Sequence, residues 1–210
     1  MNYDEAKPLA DKFLDLIKPV CIEAEIVGSV KRLKAENIHD IEILLIQKCG
    51  HPVPEFGNLN TVYPTHLDKL LAELEEQGII KQATDKKDGP KLKKRVIVGY
   101  ANEFCIEFYI VTPATWGIQN LIRTGNSWFS HRCVTNQNVI AWNRETGAKM
   151  PGFLPNDLQY IKGKDRENGE SCIMRGDNVL SLPTEQDVIS LIFGKWIEPK
   201  DRANYAEKMK

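Results

Sequence analysis

The sequence predicts an α+β fold: a mixed β-sheet backed by helices, with a smaller C-terminal α/β lobe. Three observations carry this. Apolar runs of strand length, such as residues 41–46, alternate with stretches whose apolar residues recur at helical spacing. The strand-like runs cluster in the first half of the chain. At Thr112-Pro113 the character changes to helices, which sets the expected domains at 1–112 and 113–210.

In chain order, Leu9, Phe13, Leu16 and Ile17 share one face of a first helix, and Pro19 stops it. Residues 22–27 alternate as a strand and run into Gly28-Ser29, after which Lys31, Arg32 and Lys34 form a short basic turn. Residues 41–46 are apolar apart from Glu42, the pattern of a strand covered on both faces. Residues 50–64, interrupted by proline and glycine, read as an irregular excursion. Thr65 with Asp68 three residues on caps a helix with a Leu67, Leu70, Leu71, Leu74 stripe, and Gly78 suits its end. Two strands are expected at 95–100 and 104–111, joined by Ala101-Asn102. Helices are then expected at 114–122 and 127–142, separated by Thr124-Gly125-Asn126. Beyond Pro151 the chain reads as loop until Thr184, where Val188, Leu191 and Ile192 mark one short helix.

Composition narrows the partners. The 210 residues hold 28 Lys and Arg against 29 Asp and Glu, a net charge of -1, which excludes an all-over basic coat, so a charged partner must be met locally. The local positive patch lies in residues 81–95, by default a solvated hairpin face and, in the sharper reading, a nucleic-acid contact through Lys91, Lys93 and Lys94. The longest stretch without a charged residue or histidine, 108–122, is too short to span a membrane, and the N-terminus has no apolar signal core. An intracellular protein, cytoplasmic or nucleoid-associated, with no membrane partner is expected. Five cysteines without a C-x-x-C pair suit reduced thiols, and the four histidines show no metal spacing.

Two features carry chemistry. Asp40 and Glu42, at i and i+2 of a strand, leave the same face about 7 Å apart along the backbone, from a rise of ~3.3 Å per residue. If Glu107 lies on an adjacent strand, three carboxylates converge, and their mutual repulsion calls for cations. Hard oxygen ligands select Mg²⁺ or Mn²⁺, and two such ions ~3.5–4 Å apart stabilise both oxygens of a phosphoryl displacement. Gly28-Ser29 lets backbone N–H groups and a hydroxyl approach a phosphate, with Arg32 supplying charge. Taken singly, each feature is more often a solvated strand edge or an ordinary turn.

Residues 28–45, GSVKRLKAENIHDIEILL, resemble the palm motif of the family X DNA polymerases: Gly-Ser, a basic pair, then two acids in a hydrophobic strand. FCIEFYIVTP is similar to the strand bearing that family's third metal carboxylate, RTGNSWFSHR to its Thr-Gly turn and following helix, and LPTEQDVISLIFGKWIEPKDR to its closing signature. The resemblance implies a nucleotidyltransferase palm over 1–112 and a nucleotide-selecting, thumb-type lobe over 113–210. It implies Asp40, Glu42 and Glu107 as ligands of two Mg²⁺ or Mn²⁺ ions, with Glu107 activating the primer 3′-hydroxyl. Gly28, Ser29 and Arg32 would then contact the triphosphate, Thr124 and Gly125 would line the sugar side of the pocket, and Arg132 would monitor the DNA minor groove. Because few residues precede Gly28, a minimal family member is expected. The expected function is transfer of dNMP from a dNTP to the 3′-hydroxyl of gapped or primed DNA in repair, by a monomer. The alternatives are template-independent transfer to RNA or a small molecule, and an inactive nucleic-acid-binding module.

Overall fold

The computed structural model describes residues 1–48, 64–85, 89–100, 103–166 and 170–208. Most of the excursion expected over 50–64, Lys86 and Lys87 of the basic patch, and the Ala101-Asn102 turn lie outside the described residues. The fold is α+β. The chain divides into two compact units, Met1–Ile26 with Ala35–Val111, and Val27–Lys34 with Thr112–Lys210. The units are of similar length, so the second is not the smaller lobe the sequence suggested.

In the first unit, α1 (Tyr3–Ile17) opens on a capping box, in which Asn2 accepts from the Glu5 N–H and the Glu5 side chain accepts from the Asn2 N–H. It buries Leu9, Phe13 and Ile17 along the face the spacing predicts. β1 (Cys21–Val27) follows. One helical turn, α2 (Gly28–Lys31), then belongs to the second unit, because its side chains bond there. β2 (Asp40–Gln47) returns the chain to the first unit. α3 (His66–Glu76) carries the expected Thr65/Asp68 capping box and buries Leu67, Leu71 and Leu74. Three strands complete the unit: β3 (Ile80–Gln82), β4 (Leu92–Ile97) and β5 (Cys105–Ile110). β4 begins three residues earlier than the sequence suggested, because its register on β5 runs from Leu92 opposite Tyr109 to Val96 opposite Cys105.

The five strands form one sheet in the order β1-β2-β5-β4-β3. It is mixed: β2 and β5 run parallel, whereas β4 is antiparallel to both β5 and β3. Because successive side chains alternate, each strand has two faces. On one face Ile41, Ile43, Ile106 and Phe108 are fully buried, and Lys93 and Arg95 pair with Asp68 and Glu75 of α3. On the other face stand Asp40, Glu42, Cys105, Glu107, Tyr109 and Lys94.

The second unit is built on α4 (Trp116–Thr124), α5 (Ser127–Cys133), α6 (Glu185–Phe193) and α7 (Arg202–Lys208). Its core joins Leu121, Phe129, Leu154, Ile173, Val188 and Ile189. The helix expected over 127–142 stops at Cys133. Thr135 turns its hydroxyl back to the His131 carbonyl at 2.7 Å, and Asn136 donates to the Pro155 and Leu158 carbonyls at 3.0 and 2.6 Å. These bonds replace helical ones. Gly152 makes the stop possible, since a Cβ there would lie 1.8 Å from the Thr135 carbonyl oxygen. The chain then forms a ribbon of β6 (Ile140–Trp142) and β7 (Lys149–Pro151). The stretch read as loop holds a three-stranded sheet of β8 (Leu158–Ile161), β9 (Cys172–Arg175) and β10 (Asn178–Val179). α6 starts at the expected Thr184 with a capping box and ends at Gly194. Among the described residues no helix is long and apolar enough to cross a membrane, and Cys21, Cys105, Cys133 and Cys172 are free thiols.

Candidate functional site

The acids come together through strand register. In the parallel pair, Asp40 faces Cys105 and Glu42 faces Glu107 across one ladder step. Residues from two distant segments therefore form a square on one sheet face, three corners carboxylates and the fourth a thiol. Burial pushes the Cys105 thiol up, opposed by the charge of Lys94, and Cys105 Sγ donates to the Glu103 carbonyl at 3.0 Å. The position of Cys105 was invisible in the sequence, because the thiol acquires its neighbours only through the pairing of β2 with β5.

Glu107 is buried and engaged. Its Oε2 accepts a hydrogen bond from the Tyr109 hydroxyl, and Lys94 Nζ stands 3.6 Å from its Oε1. Lys94 also donates to Asp85 at 2.7 Å, and this bond chiefly raises the lysine's pKa. The donor set fits a hard divalent cation in its chemistry and in its backbone spacing. The side chains stand otherwise: among the described residues no group of three or more His, Cys, Asp or Glu converges closely enough to hold a metal ion.

Two of the three expected DNA lysines are used within the first unit. The pleat sends Lys93 and Lys94 to opposite faces, where Lys93 pairs with Asp68 at 2.9 Å and Lys94 with Asp85 and Glu107. Adjacent residues of a strand project to opposite faces, so Lys93 and Lys94 do not stand on one face. Lys91 is exposed.

In the second unit Arg32 draws the predicted phosphate turn onto the predicted Thr-Gly turn. Its Nη1 donates to the carbonyls of Thr124 and Gly125 at 2.8 and 3.1 Å, and its Nη2 to Ser29 Oγ at 3.1 Å. Gly28 has φ +68°, a conformation glycine adopts at no steric cost. Thr124 is fully buried and its hydroxyl donates to Asn120 Oδ1 at 2.9 Å. A Cβ on Gly125 would lie 2.4 Å from Ser130 Oγ, which accounts for glycine there. Lys31 is likewise committed, to Asn120 and Glu185 at 3.0 Å each, and Glu185 also pairs with the fully buried Arg202.

Arg132 is another correction. It is 2% exposed, donates to the Pro151 and Ala206 carbonyls, and lies 3.8 Å from the centre of the Phe153 ring. It is a core residue of the second unit and not a groove contact. Beside it on the surface, a cleft of about 320 Å³ is lined by Ser127, Trp128, His131, Trp142, Asn143, Arg144 and Glu145. Trp142 is 54% exposed, and His131 stands edge-on to Trp128 at 6.2 Å. This cleft is not legible in the sequence, whose pattern puts Trp142 at the end of a helix and not on a strand.

No protein-family model matches the chain, and a search of curated proteins finds no match either.

Proposed function

We propose that the protein is a metal-dependent nucleotidyltransferase of the family X DNA polymerase type, transferring dNMP from a dNTP to a DNA 3′-hydroxyl with release of pyrophosphate, in gap filling. The observation that carries the reading is the pairing of Glu42 with Glu107, with Asp40 two residues before Glu42 on the same face. A second line of support is the meeting of Ser29, Arg32, Thr124 and Gly125, residues far apart in sequence, in one knot.

In this reading Asp40, Glu42 and Glu107 would hold the two Mg²⁺ or Mn²⁺ ions. Such ions, when bound, neutralise phosphate charge and ease deprotonation of the attacking hydroxyl. The chain's own groups do the rest. The Ser29 hydroxyl and the N–H groups of the Gly28-Ser29 turn bind phosphate oxygens, and Arg32 keeps that turn in shape while adding positive charge. Glu107 accepts the proton of the primer hydroxyl at a carboxylate oxygen. Catalysis is then positioning and charge neutralisation. For the nucleic acid, Trp142, His131 and Arg144 offer flat faces and a cation to unpaired nucleotides.

A second reading is nucleotide or nucleic-acid binding without turnover, and the engagement of Glu107 by Tyr109 and Lys94 favours it. Extension of a labelled primer on one-nucleotide-gapped DNA separates the two, with each dNTP offered singly, Mg²⁺ or Mn²⁺ supplied, and Asp40→Ala as control. Addition of only the complementary nucleotide, lost in the control, is expected. No addition with either metal would overturn the polymerase reading and turn attention to RNA or small-molecule acceptors, or to binding alone.

A further inference from the structure

Glu107 is held from two sides by its own sheet. Tyr109, two residues further along β5 and therefore on the same face, donates its hydroxyl proton to Oε2. Lys94, the residue directly opposite on β4, brings its ammonium to 3.6 Å from Oε1. Lys94 is itself anchored by Asp85 at 2.7 Å, so it does not swing freely away. Both oxygens of the carboxylate thus face a donor or a positive charge supplied by the protein, and the side chain is only 12% exposed. Asp40 and Glu42, on the neighbouring strand, are more exposed. A cation approaching Glu107 must displace the Tyr109 proton from Oε2 or come up against the Lys94 charge at Oε1.

We propose that Tyr109 and Lys94 are positioning residues that withhold Glu107 from a divalent cation, so that Asp40 and Glu42 bind the ion first and Glu107 joins only when Tyr109 lets go. This rests on the nucleotidyltransferase reading for the identity of the ion site. It deepens that reading by making one of the three carboxylates conditional. Removing the Tyr109 hydroxyl while keeping the ring frees Oε2 without opening a cavity.

The test is titration of the full chain with Mn²⁺, the free ion being read by electron paramagnetic resonance. The proteins are wild type, Tyr109→Phe, Lys94→Gln, Asp40→Ala and the double variant Tyr109→Phe/Glu107→Gln. A hydrogen bond to a charged group is lost in Tyr109→Phe, so Mn²⁺ binding is expected to tighten on the order of tenfold. Lys94→Gln gives a smaller gain of the same sign, and the Tyr109→Phe gain vanishes when Glu107 is also replaced. Mn²⁺ binding that depends on Asp40 but is unchanged or weaker in Tyr109→Phe overturns this proposal alone, as does a gain that survives Glu107→Gln. Absence of Asp40-dependent Mn²⁺ binding in every protein overturns the ion site of the nucleotidyltransferase reading as well.

Discussion

The two units hold their candidate residues by opposite means. In the first, the backbone does it: the β2–β5 register sets Glu42 beside Glu107, whatever their side chains do. In the second, side chains do it: Arg32 binds two turns together, and Lys31, Glu185 and Arg202 form a buried chain of charge behind them. A site set by backbone register tolerates loss of its functional side chains without loss of fold. A site tied by buried charges does not, because an ion left without its partner in a low-dielectric interior is costly.

That contrast can be broken at several points. The largest effect expected is on transfer itself. Asp40→Ala should lower nucleotide addition on the order of 10³-fold, while its urea midpoint stays close to wild type because a like-charged neighbour has been removed. A matching fall in stability would mean that the acid holds the sheet, and the contrast would fail. Next comes Glu185→Gln, which leaves Arg202 uncompensated at 0% exposure. A loss of about 3–5 kcal/mol in urea unfolding is expected, and a loss below ~1 kcal/mol would show that the second unit does not depend on its buried charges.

Gly125→Ala probes the tie more gently. The added methyl meets Ser130 Oγ at 2.4 Å, so the thermal midpoint should fall by the equivalent of about 1–3 kcal/mol. Combining it with Ser130→Gly should restore most of that. Persistence of the full loss in the pair would place the strain elsewhere.

In the first unit, Asp68→Asn should cost about 1 kcal/mol, because it weakens both the capping-box bond to Thr65 and the pair with Lys93. Its pH dependence has a definite sign. Burial alone would raise the Asp68 carboxyl, but the bonds from Lys93 and Thr65 bring it below its ordinary 3.8. Its contribution is therefore complete above that value and is lost as pH falls through the lowered folded value. Unfolding curves of wild type and variant should converge once the pH lies below that lowered value; a gap that widens in acid would contradict the pairing. The smallest effect is a null one. Lys93→Gln should leave the salt dependence of DNA binding unchanged, because this lysine faces α3. A flatter slope would return it to the DNA contacts.

How much of this was legible beforehand followed how local each feature is. Thr65/Asp68 announces its capping box and Thr184 the start of its helix, since the partners lie within one helical turn. α1 and the apolar run of β2 were legible for the same reason. The helix assigned to 127–142 failed because Asn136 finds its partners, Pro155 and Leu158, some twenty residues away. The strands β8 to β10 were read as loop because elements of two to four residues carry almost no pattern of their own, and pairing stabilises them. Counting lysines between 81 and 95 suggested one patch, but a strand's pleat divides Lys93 from Lys94.

By itself, the sequence determined which residues are candidates. A strand's two-residue period puts Asp40 and Glu42 on one face, a glycine lets the chain turn at Gly28-Ser29, and short-range caps start the helices. Only the tertiary structure decided what those residues meet. It paired Glu42 with Glu107, set Cys105 across from Asp40, turned Glu107 toward Tyr109 and Lys94, and buried Arg132 and Thr124. The physical reason is range: periodicity and capping act over a few residues, whereas strand register and the burial of charge are settled by segments that meet only once the chain has folded.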